Sequence, residues 1–236
     1  MSVGNTGINL GEIVMRELYH YPLDAFGRIA RVYLQEKSLE CQEIEECPWN
    51  RQKLFSENHV FSDLPTLIEN DGTILEGCYS IVEYVEQTYR SNSLFGESLK
   101  EKAEVRRVSE LFNVHFFSDV TNNIIFEKVI KKYVSKSSPD SASIRKGNSN
   151  IKKYFDYISW LVNRRNWLAG EEFSLADISA AAHVSCLDYV AAVEWESYPE
   201  VKDWYVRIKS RPSFRNILKD RITNVVPPAF YSELDF

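Results

Sequence analysis

The sequence predicts an α/β domain followed by an all-α domain. Within residues 15–90, short β-type segments alternate with helical patterns, and Asp71-Gly72 is a typical turn between two strands. After Ser91-Asn92-Ser93, apolar residues recur almost everywhere at the spacing of a helix. The chain has 236 residues, 44% of them hydrophobic, which is sufficient for one or two domains with cores of their own.

The α/β domain is assigned to residues 15–90. Its predicted elements are a strand at Arg16–Tyr21, a helix at Phe26–Lys37, a strand at Leu39–Glu45, two short strands within Thr66–Leu75, and a helix at Cys78–Tyr89. Segment 48–58 fits either a short helix or a loop. Residues 1–14 have no clear period and are treated as an N-terminal extension.

The all-α domain is assigned to residues 101–221, after a linker at 91–100. Its predicted helices are Glu101–Val134, Ser141–Asn163, an Ala-rich helix that ends near Val190, Pro199–Ser210 and Pro212–Asp220. Ser174 and Asp177 have the spacing of a capping box at the start of the Ala-rich helix. Residues 222–236 form an aromatic, acidic tail.

Composition excludes several classes of function. The chain carries 28 Lys and Arg against 34 Asp and Glu, a net charge of −6, which argues against broad nucleic-acid binding through phosphate neutralisation. No stretch reaches the roughly 18 apolar residues that a membrane helix needs. The four cysteines, Cys41, Cys47, Cys78 and Cys186, lack metal-ligand spacing. We therefore expect a cytoplasmic protein with free thiols, without a metal, a nucleic-acid partner or a membrane partner.

Three motifs resemble the glutathione transferase superfamily over nearly the whole chain from Met15. They are the loop Leu64-Pro65-Thr66-Leu67, the helix start Ser80-Ile81 with Tyr84-Val85, and the capping box of Ser174 and Asp177. The resemblance implies a thioredoxin-like N-terminal domain with a mixed four-stranded sheet, a C-terminal helical bundle and a homodimer. It also implies a cis-proline at Pro65, whose loop would expose backbone groups to glutathione.

The glutathione site departs from the family pattern at the start of the last helix of the α/β domain. Family members usually carry an acidic residue and Ser where this chain has Gly77 and Cys78, and Glu76 lies one position away from the acidic place. A charged hydrogen bond contributes about 1.5 to 3 kcal/mol, so its loss weakens glutathione by roughly tenfold or more. We therefore expect no cofactor. The residues of the degenerate glutathione site are Asp24, Leu64, Pro65, Glu76, Gly77 and Cys78.

The turn after the first strand also lacks the catalytic Ser or Cys of related enzymes. It reads Asp24-Ala25-Phe26-Gly27, and a carboxylate there raises the pKa of a nearby thiol. Tyr21 and Tyr19, which strand alternation places on one face, are either phenolic donors of a transferase or aromatic core residues. A third alternative is a redox protein that uses Cys78.

Further segments resemble the FzlA family of bacterial cell-division proteins, in which a glutathione-transferase-like fold binds the tubulin-like GTPase FtsZ. They are Tyr19–Asp24, Asn163–Gly170, Ala180–Tyr189, Lys202–Tyr205, Lys209–Arg215 and Leu234–Phe236. The resemblance implies binding and curving of FtsZ filaments at the division site, without glutathione chemistry.

A basic stretch and the tail are the predicted partner-binding surface. From Lys202 to Arg221 there are seven Lys and Arg against two acids, a net +5, whereas residues 15–90 contain 7 and 14, a net −7. The candidate contacts are Arg207, Lys209, Arg211, Arg215, Lys219, Arg221, Phe230, Tyr231, Leu234 and Phe236. The alternatives are that the cations form a solvated helix face and that the tail packs on the domain as a strap.

Overall fold

The computed structural model describes residues 15–49 and 64–234. The N-terminal domain contains β1 (Glu17–His20), α1 (Ala25–Glu36), β2 (Gln42–Glu45), β3 (Thr66–Ile68), β4 (Ile74–Glu76) and α2 (Cys78–Thr88). The predicted extension at 1–14 and most of segment 48–58 lie outside the described residues.

The four strands form one mixed sheet in the order β2-β1-β3-β4. β1 runs parallel to β2 and antiparallel to β3, and β3 runs antiparallel to β4. Leu18 of β1 lies opposite Leu67 of β3, and both side chains are fully buried in the main core. The expected thioredoxin-like sheet is confirmed.

The helical domain begins with one long helix, α3, from Leu99 to Val134. It consists of α-helical Leu99–Glu110, π-helical Leu111–Thr121, α-helical Asn122–Ile125, π-helical Phe126–Ile130 and α-helical Lys131–Val134. It starts before the predicted Glu101 because Ser98 and Glu101 form a capping box of their own, and Glu101 becomes the third residue of the helix.

The remaining helices are α4 (Ser141–Val162), α5 (Leu175–Tyr189), α6 (Pro199–Lys209) and α7 (Pro212–Arg215). The prediction of one helix over Pro212–Asp220 is wrong: α7 stops after four residues, and a 3-10 turn follows at Ile217–Lys219. Among the described helices, none is long and apolar enough to cross a bilayer.

Helix α5 is the centre of the molecule. All fifteen of its residues are buried, and its alanines let α1 and α3 pack closely against it. Contacts between α1 and α5 join the two domains. Arg28 of α1, which is fully buried, donates from Nη1 to Ser185 Oγ of α5 at 2.8 Å.

The capping box at the start of α5 is confirmed and also organises its surroundings. Asp177 Oδ2 accepts a hydrogen bond from the backbone N–H of Ser174 at 3.2 Å. Asp177 Oδ1 accepts from the backbone N–H of Leu168 at 2.9 Å and from Trp204 Nε1 at 3.0 Å. One carboxylate therefore joins the helix start, the preceding turn and α6.

Replacement of Asp177 by alanine should strongly destabilise the protein. Leu168 and Trp204 would keep buried donors without their acceptor, and each such donor costs about 1 to 3 kcal/mol. We expect urea denaturation to show a loss of roughly 2 to 6 kcal/mol in the free energy of unfolding. The matched control is Asp156→Ala, since Asp156 pairs with Lys152 on the exposed face of α4. Equal losses in both variants would contradict the assigned role of Asp177.

Candidate functional site

The structure brings Leu64, Pro65, Glu76, Gly77 and Cys78 of the predicted glutathione site together at the junction of β3, β4 and α2, and it places Asp24 at the start of α1. The Leu64–Pro65 peptide bond is cis, as the resemblance implied. Pro65 precedes β3, and its carbonyl oxygen accepts a hydrogen bond from the N–H of Gly77 at 2.9 Å. The cis-proline loop and the start of α2 therefore lie side by side, and the scaffold of the site is present.

Gly77 occupies the place where family members usually carry an acid. It is the N-cap of α2, with φ 81° and ψ 147°, a backbone conformation that disfavours residues with a side chain. No heavy atom lies within 4 Å of a Cβ placed there, so the space itself is open. The nearby Ser80 hydroxyl donates to the backbone carbonyls of Glu76 and Gly77.

Cys78 is the first residue of α2 and is only 5% exposed. Burial raises the pKa of its thiol, and the charge of Asp24 raises this pKa further. The redox alternative required an accessible thiolate stabilised by the helix start. The structure instead gives a small buried thiol that packs in the main core.

Asp24 is the N-cap residue of α1. Its Oδ2 accepts a hydrogen bond from the backbone N–H of Gly27 at 2.7 Å. Desolvation raises the pKa of the carboxyl group to about 6, although hydrogen bonds from Gly27 and Phe26 oppose the shift. The residue that replaces the catalytic Ser or Cys of related enzymes therefore stabilises a helix start.

The two candidate tyrosines do not share a face, so that expectation is wrong. β1 ends at His20, and the alternation of the strand does not continue to Tyr21. Tyr19 packs with Ile68 in a small cluster, and its hydroxyl donates to Glu17 Oε2 at 2.9 Å. Tyr21 packs in the main core, edge-on to Trp49 at 5.2 Å between ring centroids.

Both phenols are removed from solvent, which raises their pKa values. Burial raises the pKa of Tyr19 to about 12, and the hydrogen bond to Glu17 adds to the effect. Burial also raises the pKa of Tyr21, whose side chain is 2% exposed. The aromatic-core alternative describes the packing of both residues.

Two of the predicted partner-binding cations are structural, which corrects their assignment to a surface. Lys209 is fully buried, and its Nζ donates to the carbonyl oxygen of Phe230 at 3.3 Å and lies 3.9 Å from Asp188 Oδ2. Burial lowers the pKa of this lysine to about 8. Arg211 makes a bidentate contact with Glu36 of α1, at 2.7 and 2.8 Å, and ties the two domains together.

The tail is anchored to the helical domain by Tyr231, so the assignment of this residue to a partner surface is also wrong. Its ring is fully buried edge-on to Tyr189, at 5.0 Å between centroids, and its hydroxyl donates to the carbonyl oxygen of Ile217 at 3.3 Å. Phe230 and Leu234 are half-buried against the same core. Phe236 lies outside the described residues.

The remaining predicted cations, Arg207, Arg215, Lys219 and Arg221, are exposed. Arg207 lies over the ring of Trp167, with its guanidinium carbon 4.4 Å from the ring centroid. The other three line a groove of about 420 Å³ that we call the basic groove; its lining residues are Arg215, Leu218, Lys219, Arg221, Ser232 and Leu234. The sequence indicated the cations but not that tail residues form one wall.

Asp220 lies between two cations of the basic groove but does not neutralise them. Its carboxylate is directed at α1, where Arg31 Nη1 and Nη2 contact the two oxygens at 2.6 and 3.0 Å. The exposed charge of the groove is therefore more positive than the local sequence suggests.

Comparisons with known proteins identify the family. A family model described as the N-terminal domain of glutathione S-transferase matches residues 18–93, and the model for the C-terminal domain matches residues 121–212. The chain therefore belongs to the glutathione S-transferase superfamily.

Within this superfamily, the chain is similar to FtsZ-localized protein A from Caulobacter vibrioides (strain NA1000 / CB15N). The two are 36% identical over 226 residues, which cover 94% of this chain and 99% of that protein. The solved structure of FzlA from C. crescentus has a TM-score of 0.90 with 36% identity, covering 94% of this chain and all of that one. The resemblance to the FzlA family is confirmed.

A crystal structure of a glutathione S-transferase from Rhodospirillum rubrum F11 is also similar. It has a TM-score of 0.90 and 41% identity, and the match covers 94% of this chain and 100% of that chain.

The buried position of Cys78 predicts the order in which the thiols react. At mildly alkaline pH, iodoacetamide should modify partly exposed Cys47 before buried Cys78, because Cys78 is shielded and its pKa is raised more strongly. Peptide mass spectrometry over a time course measures both rates. In concentrated guanidinium chloride the two rates should converge. Labelling of Cys78 as early as Cys47 in the folded protein would contradict its assigned burial.

The altered glutathione site predicts no stabilisation by glutathione. A ligand that binds the folded state at 100 times its Kd raises stability by about 2.7 kcal/mol, so even modest affinity would be visible at millimolar concentration. We expect the melting temperature to stay unchanged, because position 77 supplies no carboxylate for the ligand's ammonium group. A glutathione-binding transferase treated identically is the positive control, and a saturable rise in this protein would refute the prediction.

Proposed function

We propose that this protein binds FtsZ filaments at the bacterial division site and has no glutathione chemistry. The observation that carries the proposal is the basic groove beside the anchored tail, in a chain whose former glutathione site has become helix caps and core. The similarity to a protein named FtsZ-localized protein A, over 94% of this chain, supports the identity of the partner.

The cations of the groove are available to an acidic partner. Arg215 Nη2 donates to the carbonyl oxygen of Ser210 at 3.1 Å, and Lys219 Nζ donates to Asn216 Oδ1 at 3.3 Å. Arg221 Nη1 donates to the carbonyl oxygen of Asp220 at 2.7 Å. These neutral acceptors hold the side chains without cancelling their charge, so the groove would steer an acidic filament surface towards itself.

The tail adds apolar contact area next to these charges. Tyr231 fixes the chain on the domain, and Phe230 and Leu234 remain half-exposed beside the groove. Aromatic and cationic side chains together are typical of interface hot spots. Apolar contact would supply binding affinity, and the surrounding charges would orient the partner and increase the rate of association.

A homodimer is part of this proposal. A symmetric dimer would present two basic grooves to one filament, and the second contact would then form at high effective concentration. Weak individual contacts would give strong filament binding in this way.

The second candidate function is conjugation of glutathione to electrophiles. The 41% identity to a protein called a glutathione S-transferase favours it. Three features oppose it. Gly77 supplies no carboxylate for the ammonium group of glutathione. Cys78 is buried, and Asp24 caps a helix at the turn where related enzymes carry a Ser or Cys.

The filament proposal predicts co-sedimentation with FtsZ assembled on GTP. The double variant Arg215→Glu, Lys219→Glu should reduce recovery in the pellet by tenfold or more, because reversal of two groove charges converts attraction into repulsion. Arg211 is unsuitable for this test because it joins the domains. The matched control Arg145→Glu, Lys146→Glu makes the same change in net charge on α4. Normal recovery of the groove variant, or equal loss in the control, would exclude the groove as the contact.

A further inference from the structure

Helix α4 carries a second basic surface that the function above does not use. Residues 141–165 contain six Lys and Arg against one acid, Asp156, a net +5. We call its outward side the α4 face; it consists of exposed Arg145, Lys146, Lys152, Lys153 and Trp160, together with exposed Arg164 two residues beyond the end of the helix. Four of these cations and the acid lie within α4 itself, a net +3, and Arg164 and Arg165 follow its last residue.

The residues of this face lie together because of helix geometry. At roughly 100° per residue, the α4 members from Arg145 to Trp160 fall within a sector of about 120°. The buried residues of the helix, Ile151, Tyr154, Phe155, Ile158 and Leu161, lie on the opposite side. Between Arg145 and Trp160 the face is roughly 22 Å long, at a rise of about 1.5 Å per residue.

The charges of the α4 face are largely uncompensated. Lys152 is paired with Asp156 at 2.7 Å, and that pair is solvent-exposed. Within residues 15–49 and 64–234, no ion pair joins Arg145, Lys146 or Lys153 to a carboxylate. The acidic N-terminal domain packs on α5, whereas α4 packs on α3 and α6.

Trp160 lies at the C-terminal end of the α4 face. Trp160 is 47% exposed, a large exposure for an indole. The guanidinium of Arg164 lies over its ring, with the carbon 4.4 Å from the centroid, and Arg164 Nη1 donates to the Trp160 carbonyl oxygen at 3.0 Å. An exposed indole next to cations is the composition that favours the polar boundary of a lipid bilayer.

We propose that the α4 face docks on the surface of an anionic lipid bilayer. The face is convex, since it is one side of a single helix whose other side is buried, and it lacks walls that would hold an extended acidic peptide. A planar anionic surface can contact its full length, with the Lys and Arg at the headgroups and Trp160 at the interface. The expectation of no membrane partner was drawn from the lack of a spanning segment, which surface docking does not need.

The test is sedimentation of the full chain with vesicles, in the absence of FtsZ. The protein should partition onto phosphatidylglycerol-containing vesicles at low ionic strength and not onto phosphatidylcholine vesicles. Each surface cation contributes about fivefold to partitioning, so Arg145→Gln, Lys146→Gln should reduce it by about 25-fold. The control Arg215→Gln, Lys219→Gln makes the same change in net charge in the basic groove and should retain vesicle binding.

Each outcome of the vesicle experiment either supports or overturns docking of the α4 face on an anionic bilayer. Partitioning onto anionic vesicles that is lost only in the α4 variant supports it. Failure to bind these vesicles, or equal loss in both variants, overturns it. Binding of an acidic polypeptide or of double-stranded DNA through Arg145 and Lys146, without vesicle binding, would assign the face to a different partner. Because FtsZ is omitted, failure here leaves the filament proposal unaffected, and the reverse also holds.

Discussion

The contact between Arg31 of α1 and Asp220 of the C-terminal region joins the two domains and directs a carboxylate away from the surface. Two guanidinium nitrogens contact the two carboxylate oxygens at 2.6 and 3.0 Å, and buried Arg28 lies 3.9 Å from the same carboxylate. Because Asp220 is directed inward, Lys219 and Arg221 on either side of it remain uncompensated on the outside. Arg31 Nη2 also contacts Glu43 Oε2 of β2 at 2.8 Å, so the guanidinium lies between two carboxylates.

The features that sequence could predict are those set by neighbouring residues. The capping box of Ser174 and Asp177 was recognisable because its two members are three residues apart. The structural roles of Lys209 and Arg211 could not be recognised in the sequence, because their charge and their helical spacing suggest a solvated helix face for both. Arg211 finds its carboxylate in Glu36, 175 residues away along the chain, and only the tertiary fold brings the two together. The sequence indicated the basic stretch and the tail as one surface, but only the fold shows that Ser232 and Leu234 line a groove with Arg215, Lys219 and Arg221.

The junction of β3, β4 and α2 keeps the loop geometry that the glutathione transferase resemblance implied. The cis peptide at Leu64–Pro65 and the hydrogen bond from Gly77 to Pro65 preserve the geometry of the loop. Two side chains of the predicted site instead stabilise the fold: Asp24 caps α1, and Cys78 packs in the core. The charged surfaces that remain for partners, the basic groove and the α4 face, lie on the helical domain, whereas residues 15–90 carry a net charge of −7 from 7 basic and 14 acidic residues.

The most direct test of the central claim, that partner binding lies at the basic groove and not at the old glutathione site, is hydrogen–deuterium exchange of the protein on FtsZ filaments. On filament binding we expect slower exchange in residues 212–234 and unchanged exchange in residues 64–80. Slower exchange in residues 64–80 without any change in residues 212–234 would contradict it.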